Sequence, residues 1–187
     1  MISARDLKKS FGDTEVISGL SFDILPDEPA TVTGASGGGK TTLLRMILGL
    51  EKADGGEMII PEGTRFGVLF QEDRLFEGFD AVTNVSLATG IRDTELIKAE
   101  LLRLLPEEAL SKPVKKLSGG QRRRIGIVRA ALHRADGMIL DEPFSGLDAE
   151  NAALAAEYIR EKARGKLLLM ALHEKDVPAW CEKIIRV

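Results

Sequence analysis

This sequence has little with which to staple itself covalently or to enter a bilayer. Its 187 residues include one cysteine, Cys181, so no disulfide can form within the chain and a reducing cytoplasm is its natural compartment. No apolar run approaches the roughly 20 residues that a membrane-spanning helix needs. The longest, Leu167 to Leu172, is strand-sized. Residues 1–9 lack the apolar centre of a signal peptide. Work at a membrane must therefore pass through a partner. The net charge of −3 gives no general pull towards nucleic acid or anionic lipid. No internal repeat and no low-complexity tract interrupts the chain. What remains is ordinary: 44% hydrophobic and 29% charged residues fit one soluble globular domain with a substantial core.

Strand and helix signals alternate along the chain. Residues 2–7, 15–24 and 30–33 read as strands, separated by turns at Gly12-Asp13 and Pro26 to Pro29. A helix follows to about Leu50, then a turn at Asp54-Gly55-Gly56 and short strands at Met58–Ile60 and Phe66–Phe70. From Glu72 to Lys116 the character becomes helix and loop, with one helix capped by Asp93 or Thr94 and closed by Pro106. Further on, helices are expected from Gln121 to about Arg134, from Asp148 to Gly165, and from Asp176 to about Glu182. Strands are expected at Gly137–Leu140, Lys166–Leu172 and Ile184-Ile185. The alternation predicts an α/β fold: a mainly parallel sheet covered on both faces, with a small antiparallel β region. Residues 1–71 and 117–187 would form the core, and about 72–116 a compact helical lobe.

The strongest motif is Gly34-Ala35-Ser36-Gly37-Gly38-Gly39-Lys40-Thr41-Thr42, which fits G-x-x-x-x-G-K-[ST]. Backbone N–H groups of such a loop wrap phosphates, and its lysine reaches the terminal ones. An apolar strand ends at Gly34, and Leu43, Leu44, Met46, Ile47 and Leu48 continue as a helix whose positive dipole end meets the phosphates.

Other polar residues sit at expected strand ends. Asp141 closes an apolar strand, where it can either cap a turn or hold Mg²⁺ while Thr41 supplies a hydroxyl. Glu142 points differently from Asp141 and is the best-placed group to polarise an attacking water. His173 and Gln71 follow strands at the same edge. Histidine there can meet the γ-phosphate or the water, and the Gln71 amide oxygen can reach the metal. Leu117-Ser118-Gly119-Gly120-Gln121 opens a helix and forms a second anion-binding corner. That helix carries Arg122, Arg123, Arg124, Arg129 and Arg134 with no acid before Asp136. No aromatic residue interleaves them, so a solvated or salt-bridged face is expected rather than a nucleic-acid surface.

Together these motifs resemble the nucleotide-binding subunit of an ATP-binding cassette (ABC) transporter, a P-loop NTPase fold. Residues 34–42 match Walker A, and Met138 to Glu142 match Walker B with its catalytic glutamate. Residues 117–121 form an unmodified LSGGQ signature. Gln71 resembles the Q-loop, Ser145 to Asp148 the D-loop and His173 the switch histidine. Phe11 sits where the family places an adenine-stacking aromatic.

The resemblance implies a Mg²⁺-dependent ATPase and a head-to-tail homodimer or heterodimer. Walker A of one subunit and Ser118, Gly119, Gly120 and Gln121 of the other would hold each ATP, with Asp148 at the dimer contact. It further implies integral membrane permease subunits, a solute-binding protein where the system imports, and a place on the cytoplasmic face of the membrane. Leu75, Phe76 and Phe79 would either meet the permease or fill the lobe core.

Some features depart from the common pattern. The lobe is compact, Phe11 replaces the more usual tyrosine, and no C-terminal regulatory domain is expected after Ile184-Ile185. Phe70 to Leu75 and Asp141 to Ser145 resemble importer subunits. A competing reading is a soluble ABC-type ATPase acting on nucleic acid or the ribosome. The long coiled coil or second cassette of such proteins is missing from this sequence. A non-hydrolysing regulatory module is a third reading, opposed by Glu142 and His173.

Overall fold

The computed structural model describes residues 1–187 and separates the strands into two sheets, one antiparallel and one parallel. Two long strands, β1 (Ile2–Phe11) and β2 (Thr14–Ile24), form an antiparallel hairpin across the Gly12-Asp13 turn. β3 (Ala30–Thr33) leaves that layer. β4 (Gly55–Ile59) returns to the free edge of β1, giving the order β2-β1-β4. The second sheet is parallel. It joins β3 to β5 (Phe66–Leu69), β6 (Gly137–Asp141), β7 (Leu167–Ala171) and β8 (Lys183–Arg186), in the order β5-β6-β7-β3-β8.

Six helices complete the chain: α1 (Lys40–Ile47), α2 (Ala81–Thr89), α3 (Thr94–Leu102), α4 (Glu107–Leu110), α5 (Gly119–Leu132) and α6 (Ala149–Lys162). Burial explains why the central strands are uniformly apolar. Met138 and Leu140 of β6 join a core shared with α2, α3, α5 and α6, while Ile139 points into the core beneath α1 and the antiparallel sheet. β7 alternates likewise, with Leu168 and Met170 on one side and Leu167, Leu169 and Ala171 on the other. A strand covered on both faces has no polar face to show.

Three expectations need correction, and α2 has no counterpart among them. Asp54-Gly55-Gly56 is not simply a turn, because Gly55 and Gly56 begin β4. Gly56 has φ +82, and a Cβ there would lie 2.2 Å from Asp6 O. Glycine lets β4 lie against the irregular middle of β1, where the register shifts. The helix expected over Asp176–Glu182 is absent; a 3₁₀ turn spans Glu174–Asp176 and Val177 is extended. Pro178 disfavours the helical region for the residue before it. The helix begun at Asp93 ends at Leu102, short of Pro106. Finally, α2 was not anticipated; Asp80 caps it by accepting from Thr83 N at 2.7 Å.

Candidate nucleotide site

Parallel strands deliver their C-terminal ends to one edge, so Gly34, Gln71, Asp141 and His173 emerge on the same side of the sheet. The glycine loop runs from β3 into α1. Gly39, the N-cap residue, has φ +96, and no side chain caps the helix, so its first N–H groups face the loop. A Cβ on Gly39 would lie 2.6 Å from Val16 O; the main chain of β2 therefore braces the loop. Lys40 is buried at 6% exposure, and its Nζ donates to Gly34 O and Ala35 O at 2.9 Å each. The ammonium is thus held inside the curve of the loop.

Thr41 Oγ1 donates to Asp141 Oδ2 at 2.8 Å, which ties the loop to the tip of β6 across a separation of 100 residues. Asp141 is 4% exposed. Burial pushes its pKa up; the Thr41 hydrogen bond opposes this, and the neighbouring Glu142 charge adds to it. Thr41, Asp141 and Gln71 line one cavity of about 330 Å³. Their hydroxyl, carboxylate and amide oxygens are the hard donors that suit Mg²⁺. No group of three or more His, Cys, Asp or Glu is gathered into a closed cage. This sparse set fits an ion that completes its shell with water and substrate phosphate.

Glu142 occupies the left-handed region at φ +48, a conformation unusual for a side chain of its size. The turn directs its carboxylate away from Asp141 and towards His173, whose Nε2 lies 3.7 Å from Glu142 Oε1. Glu142 N donates to Ala171 O at 3.0 Å, which fixes the turn against β7. Both side chains line a second cavity, of about 270 Å³, with Ser145 and Gly146.

Ser118 caps α5 in a reciprocal box: its Oγ accepts from Gln121 N at 3.2 Å, and its N–H donates to Gln121 Oε1 at 3.0 Å. These contacts stay within the helix, and no hydrogen bond joins residues 118–121 to residues 34–42. Asp148 caps α6 through Asn151 N at 2.8 Å. Phe11, at the end of β1, is half exposed, with Lys9 Nζ 5.1 Å from its ring centroid. Phe76 and Phe79 are also half exposed and meet edge to face at 6.3 Å, whereas Leu75 is partly buried against the core.

Of the solvated or salt-bridged face expected for α5, Arg122 and Arg123 show the salt bridge, both to Asp73, but three arginines turn to the protein rather than to solvent. Arg123 is 3% exposed and Arg129 reaches Asp73 O and Arg74 O, while Arg124 donates to Leu104 O and Asn151 Oδ1. Arg123 spans Phe70 O, Gln71 O, Asp141 O and Glu142 O, all at strand ends that bear candidate site residues. Sequence reasoning missed it. Its only signal was the unbalanced arginine cluster, and three consecutive arginines on a helix give no hint of which one turns inward.

Known proteins similar to this chain point to one family. The profile of the family described as ABC transporter matches residues 17–145. The aliphatic sulfonates import ATP-binding protein SsuB of Granulibacter bethesdensis is 40% identical over 80% of this chain and 62% of its own length. The lipoprotein-releasing system ATP-binding protein LolD of Porphyromonas gingivalis is 33% identical, covering 100% of this chain and 96% of its own. The chain spans between 51% and 62% of the length of the first three curated relatives it matches. Among solved structures, the dimeric bacterial ABC transporter cassette MJ0796 superposes with a TM-score of 0.84 at 25% identity, over 100% of this chain and 94% of its own. By sequence, by fold and by the residues gathered at one sheet edge, the chain belongs to the ABC transporter family.

Proposed function

We propose that this chain is the ATP-binding and ATP-hydrolysing subunit of an ABC transporter that energises solute import through separate membrane subunits. The observation that carries the reading is the 2.8 Å bond from Thr41 Oγ1 to Asp141 Oδ2, with Glu142 and His173 on the adjoining turn. Loop, metal-binding oxygens and a base candidate thus share one edge. In this reading residues 34–42 grip the phosphates through backbone N–H groups and Lys40, and Phe11 offers a ring face to adenine. Mg²⁺, held by Thr41, Asp141 and Gln71, would neutralise phosphate charge. Glu142 polarises the attacking water, and His173 steadies the Glu142 carboxylate and the terminal phosphate.

Ser118 and Gly120 make no hydrogen bond to their own chain's phosphate loop, so we assign them to ATP held by a second subunit. That matches the head-to-tail dimer expected from the motifs, and the MJ0796 cassette is described as dimeric. No helix is long and apolar enough to cross a membrane. We assign membrane passage to a permease subunit, and the exposed Phe76–Phe79 pair is the surface we assign to it. The direction follows the relatives named for import. The subunit would sit on the cytoplasmic face, as one domain with residues 72–116 as its lobe.

The test is steady-state ATP hydrolysis by the purified chain and by Glu142→Gln, with nucleotide binding measured in parallel. Turnover should fall by roughly 10²–10⁴-fold in the variant, the usual contribution of a general base, with binding retained. Full turnover in Glu142→Gln removes the assigned base. No nucleotide binding by the parent chain removes the whole reading.

A further inference from the structure

We infer that Arg123 is a positioning residue for hydrolysis, clamping the tips of β5 and β6 so that Gln71 and Glu142 hold one fixed relation to the signature end of α5. The inference rests on the ATPase reading above.

Its basis is a set of carbonyls at two strand ends. Where β5 and β6 run out, the carbonyls of Phe70, Gln71, Asp141 and Glu142 lie beyond the β5–β6 pairing, which ends at Leu69 and Leu140, although Asp141 still pairs with Ala171 of β7 and Glu142 O also accepts from Ser145 N. Arg123 answers all four. Nε and Nη2 donate to Glu142 O at 3.2 and 2.8 Å, Nη2 also meets Asp141 O, and Nη1 donates to Phe70 O at 2.6 Å and Gln71 O at 3.1 Å. Asp73 Oδ1, 3.4 Å from Nη1, supplies the countercharge. Burial lowers the guanidinium pKa and Asp73 opposes that, yet arginine remains a cation at any working pH.

The fork of five N–H donors suits this task, and lysine's single ammonium cannot span both strand ends. The clamp acts where the backbone is least at ease, at Glu142 with φ +48. A conformation of that kind persists only when its surroundings over-determine it. Arg123 also lies five residues beyond Ser118, little more than one helical turn. Any shift of the signature corner against the sheet therefore pulls on the carbonyls of Gln71 and Glu142 together. Arg123 touches no position where substrate is expected, so its effect passes through those two residues.

The experiment compares the full-length parent chain with Arg123→Gln and Arg123→Lys. A fluorescent ATP analogue gives Kd, phosphate release gives kcat, and hydrogen exchange follows peptides spanning 140–146. We expect kcat to fall at least about tenfold with Kd changed by less than about threefold, the split expected when only transition-state geometry is lost. Exchange of the Glu142 and Ser145 amides, bonded to Ala171 O and Glu142 O, should accelerate. A kcat within about twofold of the parent in either variant overturns the inference. So does a parallel fall of kcat and binding that tracks loss of folded protein, the mark of a merely structural role. If Arg123→Gln fails to fold, Arg123→Lys decides on the same criteria. A parent chain that binds ATP without turning it over overturns the ATPase reading instead, and unchanged exchange in the variants then sinks the clamp separately.

Discussion

Two glycines in the phosphate loop look alike in sequence and should respond differently to the same methyl group. Gly37 has φ +78 and Gly39 φ +96, so alanine at either must enter the left-handed region. That costs an L-residue about 1–2 kcal/mol. A Cβ on Gly37 meets nothing within 4 Å, whereas one on Gly39 falls 2.6 Å from Val16 O and 3.2 Å from Ile17 Cγ1. Val16 O belongs to the main chain of β2 and cannot rotate away, so either β2 or the loop must move. Such forced shifts typically cost a further ~1–3 kcal/mol. The gain from a less flexible unfolded chain is common to both variants and cancels. Before that shared offset Gly37→Ala should lose about 1–2 kcal/mol and Gly39→Ala roughly 2–5 kcal/mol, so Gly39→Ala is the less stable by about 1–3 kcal/mol. For a domain of this size each kcal/mol moves Tm by about 2–4 °C, so Gly39→Ala should melt at least about 2 °C below Gly37→Ala. Because Gly39 is the N-cap residue of α1, the same shift displaces the N–H groups meant for phosphate. ATP should bind at least tenfold more weakly to Gly39→Ala, a loss of about 1.4 kcal/mol. Differential scanning calorimetry and nucleotide titration of both variants supply the numbers. Indistinguishable Tm and Kd for the two would refute the claim that β2 braces the loop.

Replacing Asp141 with asparagine should raise resistance to urea while abolishing Mg²⁺-dependent hydrolysis. Its pKa is raised in the folded state, chiefly by burial, so the parent loses stability as pH rises from the unfolded pKa through the folded one. The gain should be full above that pKa, shrink as pH falls through it, and vanish below the unfolded value near 3.9; a constant difference between pH 4 and 8 would contradict the cause given. At Gly67, where β5 meets α5, a Cβ would lie 2.0 Å from Ala130 O. Gly67→Ala should cost at least the upper end of the ~1–3 kcal/mol range for overpacking, read as a fall in urea midpoint; a parental midpoint would mean the strand and helix can separate freely. Ser118→Arg should leave ATP binding to the isolated chain unchanged but lower turnover at least about tenfold, because the blocked surface serves the second subunit's nucleotide. Equal turnover in that variant, measured across protein concentrations, would count against the assigned dimer.

Much of the architecture was legible because local chemistry and burial agree. Leu167–Ala171 is apolar throughout because both of its faces are covered, and periodicity needs no tertiary knowledge to find such a strand. Asp93, one of two residues expected to do so, and Asp148 cap helices where the sequence places them, since capping is settled within three residues. Legibility failed where a distant backbone decided the outcome. Gly55 and Gly56 carry the composition of a turn, and only the neighbouring β1 makes them a strand. Arg123 carries the composition of a surface, and only the meeting of two strand ends around it makes it buried.

By itself, then, the sequence determined the strands of the parallel sheet, the helices that follow the glycine loop, the signature and Asp148, and the acidic residues at strand ends. These follow from periodicity, backbone freedom and short-range hydrogen bonding, which act over a few residues. Tertiary structure alone decided that Thr41 meets Asp141 across 100 residues, that Glu142 turns towards His173, and that one arginine among five ties Gln71 to Glu142. Those contacts depend on which strands lie side by side, and the parallel order β5-β6-β7-β3-β8 is fixed by crossovers and two-sided burial that no local window contains.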